Sequence, residues 1–413
     1  MKSLVLLLVS CFTLNAGYLK QITLSVNSPG NLVPSTQTNF LVPIMVGTFS
    51  YLKTVGNGGQ IQNTTTLNSN TVPADLVFST TACNSPTLIK WEVTKGYDVT
   101  TGAIQVWARI ASLGTGVTTI YGCMNNTAVT TWQGDTTANT WSGMVSGYHL
   151  EDATSAASVI DQLGSNDLGE TGVGTWTSTT GKLGQGMDVG AQFASYSKSS
   201  PSGFTGGTHG TAFSCWVNIP TGVDPSVQAP IIGIGTASNP GFLLDLVGSS
   251  VFGSVTMVVT DAQCCLRYKA FTPDSNWHLF HAVQPNGNTA TTSWLLYIDG
   301  VSQTLTNSGS TTVNIGTGGM VLGVDPFSGS YWLANSANHS ILDECHGWDS
   351  ELSANWITTE YNSQNAPGTF TTIAGPTNVG GNPGGPWIIR VAKAREWVPV
   401  LIPSRNPVRV AVR

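Results

Sequence analysis

Charge is scarce in this chain: Asp, Glu, Lys and Arg together make up only 9% of its 413 residues. That scarcity does not mark a disordered polymer, because 40% of the residues are hydrophobic and 13 Trp, 10 Tyr and 13 Phe supply ample core material. Helix formers are also few beside the abundant Gly, Ser, Thr and Asn, which points to a β-rich, turn-rich extracellular protein. What charge there is lies unevenly. Residues 373–413 carry six basic residues against one acidic, a net +5, which leaves −11 for the rest of a chain whose total is −6. An acidic body argues against nucleic acid as the main ligand, whereas the basic end could meet an acidic surface. Long apolar runs are missing after the first residues, so no later segment reaches the ~18 residues a membrane span needs.

The first 17 residues do read as a leader: one Lys, an apolar run, then small residues, with cleavage expected after Ala16. Leu8-Val9-Ser10-Cys11 also fits a lipoprotein cleavage box, although the run before the Cys is short for one. Beyond Cys11, six cysteines remain at 83, 123, 215, 264, 265 and 345. An exported chain permits disulfides, but six cysteines allow 15 pairings. Cys83 with Cys123 is the first pair expected, since both fall in one candidate domain. Cys264 and Cys265 are adjacent and would point to opposite faces of a regular strand. For the four cysteines other than 83 and 123, burial as small hydrophobes stands beside bridging.

From residue 18 to residue 121 the pattern is one of short alternating runs bounded by Gly, Asn and Pro. Examples are Gln-Ile-Thr-Leu-Ser-Val (21–26), Ala-Ile-Gln-Val-Trp-Ala-Arg-Ile (103–110) and Thr-Thr-Ile-Tyr (118–121). This spacing predicts an antiparallel β-sandwich. Residues 124–141, rich in Thr, Asn and Trp, read as a linker, and Trp141 opens a second domain. There, Ala-Phe-Ser-Cys-Trp-Val-Asn (212–218) predicts a core strand with Phe213, Cys215, Val217 and Ile219 on one face. Asp299-Gly300 between two alternating runs is a strong hairpin signal. Residues 341–348 read as a strand and 354–361 as a short amphipathic turn of helix, and the apolar Leu352, Trp356 and Ile357 can close a sandwich. The Asp343-Glu344 pair in that strand needs solvent or a cation, because a buried carboxylate without a partner is costly. After Thr372, Gly and Pro dominate 375–386, which reads as a flexible linker to a poorly ordered basic tail.

Several of these stretches carry a resemblance. Leu-Asp-Glu followed by an acidic turn and Leu-Ser-Ala-Asn-Trp-Ile-Thr-Thr-Glu-Tyr-Asn (342–362) resembles the closing strand and helix of laminin-G-like, concanavalin A-type modules. Gly-Lys-Leu-Gly-Gln-Gly-Met (181–187), the 212–218 strand, Asn-Trp-His-Leu-Phe-His-Ala-Val (276–283) and Trp-Leu-Leu-Tyr-Ile-Asp-Gly-Val (294–301) follow the same order. Residues 18–121 are similar to an uncharacterised β-domain that precedes such modules in bacterial and phage surface proteins. The resemblance implies an all-β protein: a leader at 1–16, an N-terminal antiparallel β-sandwich at 17–132, a linker at 133–140, a concanavalin A-like jelly-roll sandwich at 141–372, and a Gly/Pro linker with a basic tail at 373–413.

The same resemblance implies a calcium site, with Asp161, Asn166 and Asp343 as ligands and Asp167 beside them, since oxygen-rich loops suit a hard cation. A second reading of the same residues is an Asx-type turn at Asp161–Asn166 and a hydrogen-bonded strand carboxylate at Asp343. Lectin-type binding would draw on aromatics beside polar loops, for which Tyr148, His149, Tyr331 and Trp332 are the candidates by position. Enzymes share the fold, and glucanases of this kind place their acids as Glu-x-Asp-x-Glu on one strand; none of the seven glutamates sits in that pattern. Gly-x-Ser-x-Gly, His-Glu-x-x-His and a phosphate-binding glycine loop are likewise absent, and His278 and His281 fall on opposite faces of a predicted strand. The expected function is therefore non-catalytic binding of a glycan or another surface polymer by an exported or cell-surface protein. The alternatives are a structural or receptor-binding component of a phage particle or cell envelope, and a glycosidase with distant acids brought together by two strands.

Overall fold

A computed structural model describes residues 17–67, 70–94, 96–135, 140–141, 143–151, 158–170, 176–189, 196–225, 228–236, 239–254, 256–260, 266–287, 290–312, 319–323, 339–379, 387–393 and 396–402. The architecture is all-β, as the alternating runs predict. A four-stranded sheet, in the order Thr371–Asn378, Lys20–Val26, Thr118–Met124, Val77–Ser79, faces a three-stranded sheet of Gln37–Thr48, Ala103–Leu113 and Lys90–Val93. In Lys20–Val26 every second side chain, Ile22, Leu24 and Val26, is buried in the core between them with Phe40, Phe78, Trp91 and Val106. This is the first sandwich.

The second sandwich packs a nine-stranded sheet against an eight-stranded one. Phe213, Cys215, Val217 and Ile219 all enter its core, against Phe242, Leu244, Phe280 and Trp294, as their alternation predicts. Asp299 and Gly300 take positive φ, 53° and 77°, between Leu295–Ile298 and Val301–Ser302, the left-handed pair a two-residue hairpin needs. Two disulfides cross-link the chain. Cys83–Cys123 is the expected pair, and Cys215–Cys345 joins neighbouring strands of the eight-stranded sheet. Cys264 and Cys265 lie outside the described residues.

Three connections depart from the sequence reading. The stretch 124–135, read as linker, packs on the first sandwich: the Trp132 ring lies 4.5 Å from Trp91, and Lys90 pairs with Asp135 at 2.5 Å. Apolar indoles inside a Thr/Asn-rich stretch outweigh its loop-like composition. Thr371–Asn378, read as the start of a Gly/Pro linker, is a strand paired antiparallel with Lys20–Val26. Its Gly375 and Pro376 sit at a sheet edge, the place strands tolerate them. The basic end forms a hairpin, Trp387–Lys393 with Glu396–Ile402. The helix after the closing strand is also longer than one turn, running Ala354–Asn365 from a Ser353 cap whose hydroxyl accepts the Trp356 N–H.

The disulfides yield a test. Cys83–Cys123 closes 40 residues and Cys215–Cys345 closes 130. Chain entropy then assigns them about 4 and about 5 kcal/mol of stabilisation. Replacing each pair by serine should lower the denaturant midpoint in both cases, more for Cys215–Cys345. An unchanged midpoint for that second pair would mean it contributes nothing to the folded sheet.

Candidate functional site

The strand Ile341–Trp348 organises the region where the two sandwiches meet. It pairs with Thr211–Asn218 along one edge, and on the other with Gln185–Asp188 and then Ser146–Tyr148. Opposite it, Ser214 faces His346 while Trp216 faces Asp343, so this strand holds one extra residue. The bulge falls at Glu344, whose φ is +46°. A non-glycine residue there costs roughly 1–3 kcal/mol and persists only where its surroundings fix it. Because of the bulge, Leu342 and Cys345 both reach the core, and Glu344 and His346 both turn outward.

Outward does not mean solvent. The outer face of the eight-stranded sheet is covered by the helix Ala354–Asn365 and by the three-stranded sheet of the first sandwich. Glu344 and His346 are wholly buried, and Glu92, Gln105, His149 and Glu360 nearly so. They form one chain of alternating carboxylates and imidazoles. From the first sandwich, Glu92 Oε1 lies 3.2 Å from His149 Nε2 and also accepts the Trp141 indole N–H. His149 Nδ1 reaches Glu344 Oε2 at 2.7 Å, and Gln105 Nε2 donates to Glu344 Oε1 at 3.3 Å. His346 stands between Glu344 at 3.5 Å and Glu360 at 3.1 Å, and Glu360 ends the chain on His281 at 2.9 Å. Trp107 and Trp141 wall it, with ring centroids 5.6 and 4.8 Å from His149.

These contacts set the charges. Burial opposes charging His149, but the facing carboxylates of Glu344 and Glu92 outweigh it and hold the imidazole pKa well above its ordinary value. Burial likewise opposes charge on His346, and its bonds to Glu344 and Glu360 raise its pKa on balance. Glu344 and Glu360 are held low by the histidines despite their burial, Glu360 at about 2. Two neighbours behave oppositely. Burial pushes Glu151 up to about 7, and burial plus the Glu344 charge raises Asp343 well above a normal carboxyl. The Asp343-Glu344 pair thus needs neither solvent nor a cation: one member is favoured in its neutral form, and the other is paired with imidazolium.

Beside this chain opens a cleft of about 380 Å³ between the sandwiches. Thr38, Asn39 and Leu41 line it from the first sandwich, Thr140, Trp141, Gly143 and Met144 from the crossing segment, and Trp348, Ser350–Ser353 and Trp356 from the second. Its floor is aromatic and its rim polar. Two buried polar atoms of the lining, Thr140 Oγ1 and the Trp356 indole nitrogen, have no hydrogen-bond partner. A smaller gap beneath, bordered by Leu41, Trp107, Met144 and Trp356, reaches His346 and Glu360.

The residues singled out in the sequence distribute as follows. Asp161 is buried and accepts backbone N–H bonds from Gly147, Leu163, Ser165 and Asn166, while Asp167 accepts the Asp161 N–H. Asn166 spends its amide on Val145, Ser202 and the Ser202 N–H. Asp343 accepts from the Leu183 N–H and shares no hydrogen-bond partner with that loop. With the loop oxygens committed to backbone donors, this set does not fit a calcium ion, and among the described residues no group of three or more His, Cys, Asp or Glu could hold a metal. Tyr148 and His149 are not the exposed ligand contacts their positions suggested. Tyr148 is wholly buried with its hydroxyl on the Asn166 carbonyl, and His149 belongs to the buried chain. Tyr331 and Trp332 lie outside the described residues. The sequence reading missed Glu92, His281, His346 and Glu360 as partners and Thr38, Asn39 and Thr140 as lining. One signal was available: three of only six histidines, 149, 281 and 346, sit in or beside strands whose neighbours are apolar.

No protein-family model matches the chain, and no curated protein does. Among solved structures, the botulinum neurotoxin serotype D ligand-binding domain in complex with N-acetylneuraminic acid is similar over 54% of this chain and 51% of its own, at 11% identity and a TM-score of 0.39. Domain 4 of AbnA, a GH43 extracellular arabinanase from Geobacillus stearothermophilus, in complex with arabinotriose, is similar over 52% and 96%, at 17% identity and a TM-score of 0.38. The binding domain of Paraclostridial Mosquitocidal Protein 1 is similar over 54% and 52%, at 13% identity and a TM-score of 0.37. The chain thus spans about half the length of the neurotoxin and mosquitocidal-protein binding domains. No helix among the described residues is long and apolar enough to cross a membrane.

The buried chain makes a pH prediction with a definite sign. His149 has a raised folded pKa, so its contribution is whole below its unfolded value of 6.5 and is lost as pH rises through the folded one. Glu151 acts in the same direction between 4.5 and about 7. Glu344 and Glu360, with lowered pKa, contribute above 4.5 and lose that contribution as pH falls, towards about 2 for Glu360. Thermal midpoints should therefore peak in acidic buffer near pH 4.5, decline from there as Glu151 ionises, and decline further above about pH 6.5. His149→Gln leaves two buried carboxylates facing an uncharged amide, and should cost about 3–5 kcal/mol and flatten the alkaline decline. A variant within about 1 kcal/mol of wild type, with an unaltered pH profile, would show that the chain does not hold the two sandwiches.

Proposed function

We propose that this protein is an exported, non-catalytic binder of a glycan or similar polyhydroxylated surface polymer, and that the cleft between its sandwiches is the binding site. The observation that carries this reading is the lining of the cleft. Saccharides present C–H faces that stack on aromatic rings and hydroxyls that need donors and acceptors. The half-buried Trp356 offers ring surface over a base closed by the buried Trp141 and Trp348, and Asn39, Thr38, Ser350, Ser353 and Glu351 offer polar groups around it. Thr140 Oγ1 and the Trp356 N–H, buried in residues of the lining, have no hydrogen-bond partner among the described residues, and a small rearrangement of the lining would let a sugar hydroxyl supply one. The volume lies within the range of small-molecule sites, ~300–1,000 Å³. Export is supported by the two disulfides, which persist in oxidising compartments.

The absence of turnover in this proposal rests on the carboxylates. A glycosidase needs two acids flanking the bond it breaks. Glu351 is the single carboxylate among the described lining residues, and Glu344 and Glu360 are buried and engaged by histidines.

A glycan array followed by calorimetry tests the reading. Wild type should bind at least one oligosaccharide class. Trp356→Phe keeps an aromatic ring to pack on Phe40, 4.5 Å away, but removes the indole N–H. It should weaken binding by about 5–10-fold, roughly the 1–1.5 kcal/mol of one hydrogen bond, with little change in thermal midpoint. The exposed Asn39→Ala should weaken binding similarly without touching the core. Unaltered affinity in both variants would move the site elsewhere, and release of reducing sugar from a bound polymer would overturn the non-catalytic assignment.

A further inference from the structure

We infer that the cleft selects uncharged saccharides and turns away carboxylated ones, and that Glu351 sets this preference. The inference rests on the glycan reading above and names the chemical class of its ligand. Among the described residues the lining contains no Lys, Arg or His, the side chains that recognise a sugar carboxylate by charge. Neighbouring residues 136–139 and 142 are uncharged by sequence as well. The lining does contain one fixed negative charge. Glu351 is exposed at the rim and held there by the Asn286 N–H, which donates to Oε2 at 2.9 Å. Asp349 in the same turn adds a second, accepting the Thr205 N–H at 2.8 Å. His209 stands 3.8 Å from Asp349 and is 57% exposed, outside the lining.

One feature of the cleft would ordinarily favour an anion: the helix Ala354–Asn365 begins at its edge. That end is already provided for. Ser353 Oγ accepts the Trp356 N–H at 3.2 Å, and Glu351, two residues before the cap, sets a negative charge near the same edge. An incoming carboxylate would meet the repulsion of Glu351 at the rim. The orphaned groups within the cleft are a hydroxyl and an indole N–H, neutral partners for neutral hydroxyls.

The test uses the full chain and matched probes: gluco-, manno- and galacto-oligosaccharides, each against its uronic-acid counterpart of equal length. Affinities are measured at low salt and at 0.5 M NaCl (about a 4–5 Å screening length). For whichever skeleton binds, the uronate should be at least about tenfold weaker at low salt. The gap should narrow in high salt and in Glu351→Gln, which keeps an acceptor for the Asn286 N–H. Uronates binding as tightly as their neutral counterparts, or a gap unchanged in Glu351→Gln, would overturn the inference and leave glycan binding standing. Failure of every probe, neutral and acidic, would instead remove the glycan reading and this inference with it.

Discussion

An imidazolium held between two carboxylates, sealed from water where two β-sandwiches meet, is the contact on which the rest of the structure depends. Glu92 comes from one sandwich, and His149 and Glu344 from the other. Ion pairs of this kind are weak sources of net stability, because desolvating each charge costs nearly what their attraction returns. Their value is geometric: once buried, each charge has few acceptable positions, and any displacement leaves one uncompensated. The chain continues through His346 and Glu360 to His281, so the helix Ala354–Asn365 is fixed to the same frame. The cleft has walls from both sandwiches and from the turn preceding that helix. Its shape is therefore set by the buried chain although no member of that chain lines it.

The fold was legible in the sequence because it is written in local alternation. Phe213, Cys215, Val217 and Ile219 face one core because a strand permits nothing else, and Asp299-Gly300 can turn as it does because those residue types tolerate positive φ. The Cys83–Cys123 bridge followed from domain membership. The site was much less legible. Counted from the core residue Cys345, alternation sends Glu344 and His346 out of the core, and both do leave it. It does not predict that a second sandwich covers them. Glu92 and Glu344 act on one imidazole across 252 positions of sequence, a pairing no local pattern carries. The bulge at Glu344 also defeats a strict alternation, which would place Leu342 and Cys345 on opposite faces.

The misreadings share a cause. Tyr148 and His149 were read as candidate ligand contacts because polar-tipped aromatics beside loops often are, yet one completes a core and the other a charge chain. Thr371–Asn378 was read as linker because Gly and Pro break strands, yet an edge position asks less of its backbone. In each case composition described the residue and its neighbours in space decided its role. Trp356 shows the converse. Expected only to close a sandwich, it packs on Phe40 of the other one while its indole nitrogen remains unpartnered beside the cleft.

The first strand has a mechanical meaning. Lys20–Val26 is hydrogen-bonded to Thr118–Met124 on one side and to Thr371–Asn378 on the other. The entire second sandwich is thus spliced into the first, entering after residue 135 and returning at residue 371. Lys20 lies opposite Asn378, so the chain segments leading into and out of this pair emerge at the same end. Tension applied across those segments would peel the two strands apart one rung at a time, the low-force geometry, instead of shearing all rungs together. The second sandwich would stay outside the loaded path until that strand had come away, so a tethered molecule could yield at its edge strand while its cleft still held a ligand.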